Sequence, residues 1–446
     1  MPRLRFSHSA LIVALAATMA SRADAQRSPL GGLGGLGGLG GTVGDVTRPL
    51  TSDLRGGLAD LGQTTDHLAD QVADQLADQR VARLRDQVRA HPQALELDGH
   101  GDLVVRGVVL ALDPSATALV AAAGAGFEVR STSTDDELGV TMVQLAAPAG
   151  VSAQDALRRL RRLDPHGRYD LDPIYAPSGM TGAEADAHAT PLASRDHAAT
   201  VTVGLLDTGV ANHPALAGVI AAQRGFAPGG VRPAAHGTAV ASLIAGHDGV
   251  FQGAAPGARL LAADVYGDGP TGGSADAIVA ALAWMGRERT PVINISLVGP
   301  PNLGLEAAVK ALVARGVLIV APVGNDGPAA PAPYPASYPG VIAVTAVDRH
   351  GRPLLEDGRA RHLDFAAPGA DIVAASVSGG LAPVRGTSFA APIVAGRLAL
   401  LLTQPDPEAA RRAVTTLAKT AQRRGGDLGR GLVGEDLAKT LQAAAK

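Results

Sequence analysis

From Thr200 onward the chain repeats one unit, a short apolar run and then a longer run with helical spacing. VTVGLLDTGV, ARLLAADVY, VINISLV and GVLIVAPV are the apolar runs. HGTAVASLIAG, ADAIVAALAWMGRE and LGLEAAVKALVARG lie among them. Parallel strands need long crossovers, and crossover helices bury both faces of the sheet, so its strands read as continuous apolar runs. The pattern therefore predicts an α/β domain over residues 200–446, with a mostly parallel sheet covered by helices on both faces. Ligands of such sheets sit beyond the carboxyl ends of the strands. Polar residues just after these strands are the first candidates for chemistry.

The segment before this domain has a different order. DLVVRGVVLALD reads as a strand and SATALVAAAGAG as a helix ending in glycine. FEVRSTST and VTMVQLAAP read as two strands around an Asp-Asp-Glu-Leu-Gly turn. VSAQDALRRLRRLDP is an amphipathic helix, and RYDLDPIYA a last strand. The order β-α-β-β-α-β predicts a small ferredoxin-like α+β domain over 101–177. Residues 178–199, rich in Ala, Gly, Asp, His and Pro, read as a linker.

At the N-terminus Arg3 and Arg5 precede ALIVALAATMA, and Ala23-Asp24-Ala25 follows. Basic flank, short apolar run and small residues predict a secretory signal peptide over 1–25. The alternative is an N-terminal anchor, but the run is far shorter than a bilayer span. LGGLGGLGGLGG (30–41) predicts a flexible linker. Leu54 to Val88 has helical spacing around a tandem LADQ-VADQ-LADQ. Its four-residue period drifts around a helix, which favours a solvated spacer over a partner-binding helix. Residues 26–100 are thus assigned to linker and spacer. No other stretch reaches the ~18 apolar residues of a spanning helix, so no stable membrane insertion is expected. A net charge of −3 gives no electrostatic reason to expect nucleic acid. With no cysteine, disulfides and thiolate metal sites are excluded. The expected location is secreted or periplasmic.

Four residues stand at strand ends or helix starts in the large domain. Asp207 ends VTVGLL and precedes Thr-Gly, where a turn role is equally open. His236 opens HGTAVASLIAG; alone it could be a loop histidine. Asn325, in APVGNDG, can donate its amide to a developing oxyanion, or simply form a turn. Ser388, in RGTSFAAP, precedes an apolar helical run and could be a helix cap. A serine hydroxyl becomes a nucleophile only with a base, a group orienting that base, and oxyanion donors. The chain supplies all four.

Together, VGLLDTGV, HGTAVASLIAG, APVGNDG and GTSFAAP resemble the aspartate, histidine, oxyanion and serine motifs of the subtilisin-like serine peptidases. Intervals of 29, 89 and 63 residues separate Asp207, His236, Asn325 and Ser388. The chain order Asp, His, Ser is the subtilisin order. GAAPGARLLAADVYG, VINISLVGP, YPASYPGVIAVTAVD, FAAPGADIVAAS and GRGLVGEDLA extend the resemblance to about Thr200–Ala445. It implies a serine endopeptidase acting on proteins or peptides. Ser388 would be the nucleophile, His236 the base, Asp207 its orienting group and Asn325 an oxyanion donor. Ser296, Leu297, Val298 and Gly299 would pair with the substrate backbone as an added strand. The resemblance also gives the ferredoxin-like segment the role of a propeptide, with LDPIYAPSG in the active site and self-cleavage between Tyr175 and about Thr200, directly after Tyr175 in the simplest case.

Some residues depart from the family's pattern. Phe389 follows the serine where methionine is common. Val298 stands where glycine is common, which with Pro333 would narrow the primary specificity pocket. HDGVFQ is too short for the family's inserted calcium loop. No cofactor is required for the chemistry, no metal ligands are assigned, and structural calcium is left open. Two other readings remain: a catalytically silent secreted protein that binds peptides or regulates a partner, and an assembly role for the N-terminal helix and Gly-Leu segment.

Overall fold

A computed structural model describes residues 70–181, 201–422 and 428–443. The expected signal peptide, the Gly-Leu linker, the first part of the 54–88 helix and linker residues 182–199 lie outside the described residues.

Seven parallel strands form the main sheet. Their order across it is Phe365–Pro368, Val341–Val347, Leu318–Pro322, Val292–Ile295, Thr202–Asp207, Arg259–Asp264 and Ile220–Gly225. Residues of the six strands other than the edge strand Ile220–Gly225 are nearly all buried, as strands covered on both faces must be. On one face lie the helices Ala235–Ala245 and Thr387–Ala399, packing Val240, Leu243, Ile244, Phe389, Ile393 and Val394 against Leu205, Val320 and Val344. On the other lie Ala275–Arg287 and Leu303–Ala314, packing Ile278, Leu282, Leu305 and Val309 against Leu206, Ile293 and Ile319. Each of those buried aliphatic side chains contributes roughly 1.5–3 kcal/mol relative to exposure. The α/β expectation therefore holds. From the strand Thr202–Asp207 the chain goes first to the edge strand Ile220–Gly225, returns to Arg259–Asp264 between them, and then crosses to Val292–Ile295 on the other side of Thr202–Asp207. That reversal opens a crevice at the carboxyl ends of these strands.

The preceding domain is an antiparallel sheet centred on Leu103–Leu112, which pairs with Leu95–Leu97, Val140–Ala146 and Arg168–Pro173. Glu128–Asp135 pairs with Val140–Ala146. The helices Ala116–Gly124 and Ala153–Leu163 cover one face, capped by Ser115 and Ser152. Ala111, Val143, Leu145, Leu157 and Leu160 fill the space between. The opposite face, with Val105, Val108, Leu110 and Met142, packs on the large domain's second helical layer. Two-sided burial explains why LVVRGVVLAL is apolar almost throughout instead of alternating.

Three boundaries of the sequence reading change. Leu95–Leu97 is a strand of this sheet, so the small domain starts before residue 101; the Glu96 carboxylate accepts from Ala153 N (2.5 Å) and Gly107 N (3.0 Å). A three-residue strand is too short to show a period. Residues 70–90 form a helix with one face against the protein and Ala73 buried, in place of a solvated spacer. Residues 178–181 are part of no loose linker: Met180–Thr181 pairs with Leu381–Arg385.

Candidate active site

Asp207 is fully buried at the carboxyl end of the strand Thr202–Asp207. Its Oδ1 accepts from Thr208 N (2.7 Å) and from Thr208 Oγ1 (3.3 Å). His236, in the first turn of Ala235–Ala245, places Nδ1 2.8 and 2.9 Å from the two Asp207 oxygens. Thr208 Oγ1 also accepts from Gly237 N at 2.9 Å, tying the strand end to the helix start. A carboxylate on Nδ1 selects the tautomer with the proton there, which leaves Nε2 free to accept one. Among the described residues nothing hydrogen-bonds Nε2 of His236. The Phe389 ring lies 5.3 Å from the imidazole, centroid to centroid.

Ser388 sits in the first turn of Thr387–Ala399 and is fully buried. Gly386 precedes this helix at φ 135°, a conformation L side chains rarely adopt, and an added Cβ would lie 2.5 Å from Asn325 Nδ2. Asn325 Oδ1 accepts from Thr387 N (3.0 Å) and Thr387 Oγ1 (3.1 Å). With its oxygen engaged, the amide turns Nδ2 towards Gly386. Asp207, His236, Asn325 and Ser388, far apart in sequence, thus line one crevice.

The crevice already holds a stretch of the chain. Ser388 N donates to the Ser178 carbonyl (3.0 Å), the place where an oxyanion would form. Ser388 Oγ accepts from Ser178 N (3.0 Å), lies 2.6 Å from Ser178 Oγ, and contacts the Ser296 carbonyl at 3.2 Å. Ala176–Pro177 pairs antiparallel with Leu297–Val298. Tyr175 N donates to Gly273 O (2.8 Å), its carbonyl accepts from Tyr266 OH (2.9 Å), and its hydroxyl donates to Pro300 O (2.6 Å). Upstream, Asp170 and Asp172 meet helix starts: Asp170 Oδ2 accepts from Leu303 N (2.8 Å) and Asp172 Oδ1 from Asp276 N (3.2 Å). Helix N-termini favour such carboxylates. Burial nevertheless pushes the Asp172 carboxyl up to about 8, with the nearby Asp276 charge adding to it.

Ser178, within the expected window from Tyr175 to about Thr200, occupies the serine site, and Tyr175 lies three residues deeper upstream. One expectation is corrected. Gly299 does not pair with the captured segment. Its backbone exchanges hydrogen bonds with Tyr334 (2.9 and 3.0 Å), and its missing side chain makes room for the Tyr175 ring, 2.5 Å from where a Cβ would stand. Ser296 contributes its carbonyl, and its hydroxyl donates to Ser388 O at 3.1 Å. Leu297 and Val298 pair with the chain's own Ala176–Pro177. Val298 and Pro333 flank Gly324, 3.5 and 3.8 Å from its ideal Cβ position. Sequence reasoning missed Tyr266 and Gly273 as contacts of the cleft; it placed LDPIYAPSG there without singling out Ser178 as the residue at the serine. Where the calcium loop was expected to be short, His247–Asp248 and Phe251–Gln252 form a two-residue-strand hairpin.

A doubly covered parallel sheet with Asp, His and Ser in that chain order at its crevice defines the class of the subtilisin fold. The sequence model of the subtilase family matches residues 198–434, and the chain belongs to that family. M-protease of Shouchella clausii (strain KSM-K16) is 38% identical over 216 residues, covering 46% of this chain and 55% of that protein. Subtilisin Savinase of Lederbergia lenta is 39% identical over 210 residues, covering 45% of this chain and 76% of that protein. The chain thus spans little more than half the length of M-protease. The crystal structure of fervidolysin from Fervidobacterium pennivorans, a keratinolytic enzyme related to subtilisin, superposes with a TM-score of 0.61 at 21% identity, over 78% of this chain and 63% of that one. That likeness supports the fold.

Proposed function

We propose that the chain is a serine endopeptidase made as a self-processing precursor, and that its first substrate is its own Ser178–Gly179 bond. The observation that carries this is the Ser178 carbonyl on Ser388 N, beside the paired Asp207 and His236. Ser388 Oγ adds to the Ser178 carbonyl carbon as His236 Nε2 takes its proton. Asp207 orients the imidazole and stabilises its charged form. Ser388 N–H and the Asn325 amide meet the oxyanion. Collapse breaks the C–N bond, and the proton on His236 passes to the Gly179 nitrogen. Water then hydrolyses the acyl-enzyme by the same route. Every group in this sequence belongs to the chain, so the chemistry calls for no cofactor. Substrates would be other proteins or peptides, bound along Leu297–Val298. The small domain, the chain's own propeptide, occupies that cleft until it leaves. The basic, apolar and Ala-Asp-Ala segments at the N-terminus support export, as a secreted or periplasmic enzyme.

A second reading has one observation in its favour. Ser388 Oγ contacts Ser178 and not His236, as it would in a catalytically silent peptide-binding protein on this fold. A fluorophosphonate probe separates the two. Wild-type protein should take one label on the fragment that contains Ser388, Ser388→Ala should take none, and only the wild type should yield an N-terminal Gly179. A folded wild type that neither cleaves nor labels, even after limited trimming, establishes the silent reading.

A further inference from the structure

The helix at residues 70–90 belongs neither to the small domain's sheet nor to the region matched by the family. Its less exposed positions, Ala73, Leu76, Ala77, Arg80, Leu84 and Val88, recur at three and four residues and mark one inward face. Along that face it makes two kinds of contact. Arg80 pairs with Asp102 of the small domain at 2.6 Å, with both side chains largely buried. Arg80 also reaches Asp326 at 3.4 Å, and Arg83 reaches the other Asp326 oxygen at 2.6 Å. Asp326 immediately follows Asn325 in the chain. Leu76 packs on the next residue, Gly327, whose ideal Cβ position lies 3.0 Å from Leu76 Cδ1. Gly327 N in turn donates to Glu356 O at 2.9 Å, and Glu356 pairs with Arg385, the partner in register of Met180. The helix therefore links the small domain to the loop that carries the candidate oxyanion donor.

We infer that this helix is a second clamp of the inhibitory segment: it grips the Asp326–Gly327 loop and holds the N-terminal fragment on the catalytic domain after the Ser178–Gly179 bond is cut. The inference rests on the proposed self-processing. Once that bond breaks, the cleft strand Tyr175–Ser178 is a free end, and its contacts can be lost one by one. The helix contacts lie upstream of the cut on the same fragment, so they are unaffected by it. Two anchors on one fragment raise the effective concentration of each for its own site. Activity would then appear later than cleavage, with the interval set by the helix.

The test uses the full chain with Arg80→Ala and Arg83→Ala together, and separately with Leu76→Asp. The interval between appearance of Gly179 and appearance of peptidase activity is timed, and the N-terminal fragment co-eluting with the catalytic domain is quantified. Loss of the two ion pairs to Asp326, together with Arg80–Asp102, should shorten the interval and reduce co-elution by roughly tenfold, with an unchanged rate of cleavage. The same interval and co-elution as wild type in both variants overturn the inference. A second arm is independent of activity. In the Ser388→Ala full chain, hydrogen exchange of amides 324–330 should quicken when Arg80 and Arg83 are replaced; unchanged exchange overturns the clamp even if the protein never cuts itself. If exchange quickens but the wild type neither cleaves nor labels, the docking stands and the self-processing reading fails.

Discussion

The hydroxyls of Ser178 and Ser388 lie 2.6 Å apart, and this contact takes the place of one between Ser388 and His236. The Ser388 hydroxyl, the proposed nucleophile, has three partners: Ser178 N, Ser178 Oγ and Ser296 O. Its proton must leave these partners before it can face the imidazole. Removing the Ser178 hydroxyl should ease that rotation. Ser178→Ala is expected to release Gly179 roughly three- to tenfold faster than wild type, the worth of one hydrogen bond. Intact-mass spectrometry during early expression measures it. A slower cut than wild type would mean that the hydroxyl assists the reaction.

Tyr175 is anchored by both its ring and its hydroxyl. Tyr175→Phe keeps the ring over Gly299 but leaves the Pro300 carbonyl without its donor, for a loss of about 1 kcal/mol. Gly299→Ala puts a methyl into the ring's place and should hinder docking more severely. Both effects are read as faster release of the N-terminal fragment, Gly299→Ala ahead of Tyr175→Phe. Equal release in all three proteins would remove Tyr175 as an anchor.

Docking should weaken as pH rises. The Asp172 carboxyl is buried only while the small domain is docked, and burial there raises it from an ordinary 3.8 to about 8. Between these values the docked state holds a proton that the free fragment does not. Docking is therefore strongest below the lower value, weakens by at most about tenfold per pH unit, and levels off above the upper one. Asp170 and Asp276, also raised by burial, act in the same direction. Co-elution of the two fragments from pH 5 to 9 should fall, and Asp172→Asn should flatten the fall. An unchanged slope in Asp172→Asn would assign the effect to other groups.

Phe389 stands next to Ser388 in the chain and against His236, where a thioether would be open to oxidation. Met142 and Met285 are buried away from the site. Activity is expected to survive peroxide exposure that inactivates Phe389→Met. Equal loss in both would locate the sensitive group elsewhere.

Removal of the Asn325 amide tests the oxyanion assignment. Asn325→Ala should lower kcat about 10²- to 10³-fold with little change in KM. Two donors of Thr387 hold the amide oxygen, and the companion variant Thr387→Val removes the hydroxyl donor while the backbone N–H stays, so the amide is held less firmly. A smaller loss of kcat is expected there, and no loss in either variant would end the assignment.

Much of this was legible in the sequence, for identifiable reasons. Buried parallel strands are written as continuous apolar runs, so LLDTG, SLVGP and APVGN could be placed at strand ends without coordinates. Positions 207, 236, 325 and 388 drew attention as polar groups at element termini. What escaped notice was set by contacts distant in sequence. Nothing local distinguishes Ser178 from a linker serine; its place depends on how far Tyr175 sinks beside Gly299. Leu95–Leu97 is too short to have a period. The drift of the LADQ repeat argues against a heptad seam, yet a single helical face needs no heptads to dock through Leu76, Arg80 and Arg83.

The small domain's sheet is apolar on both faces, and only one of them is covered by its own helices. Separation would leave Val105, Val108, Leu110 and Met142 facing water, with no cover to replace the large domain's. A fragment released in this way has lost half of the environment that shaped it. Such a fragment would be easier to unfold and easier to digest. On the proposed self-processing, release would then run like a ratchet, since the separated part would lose the surface it needs to come back.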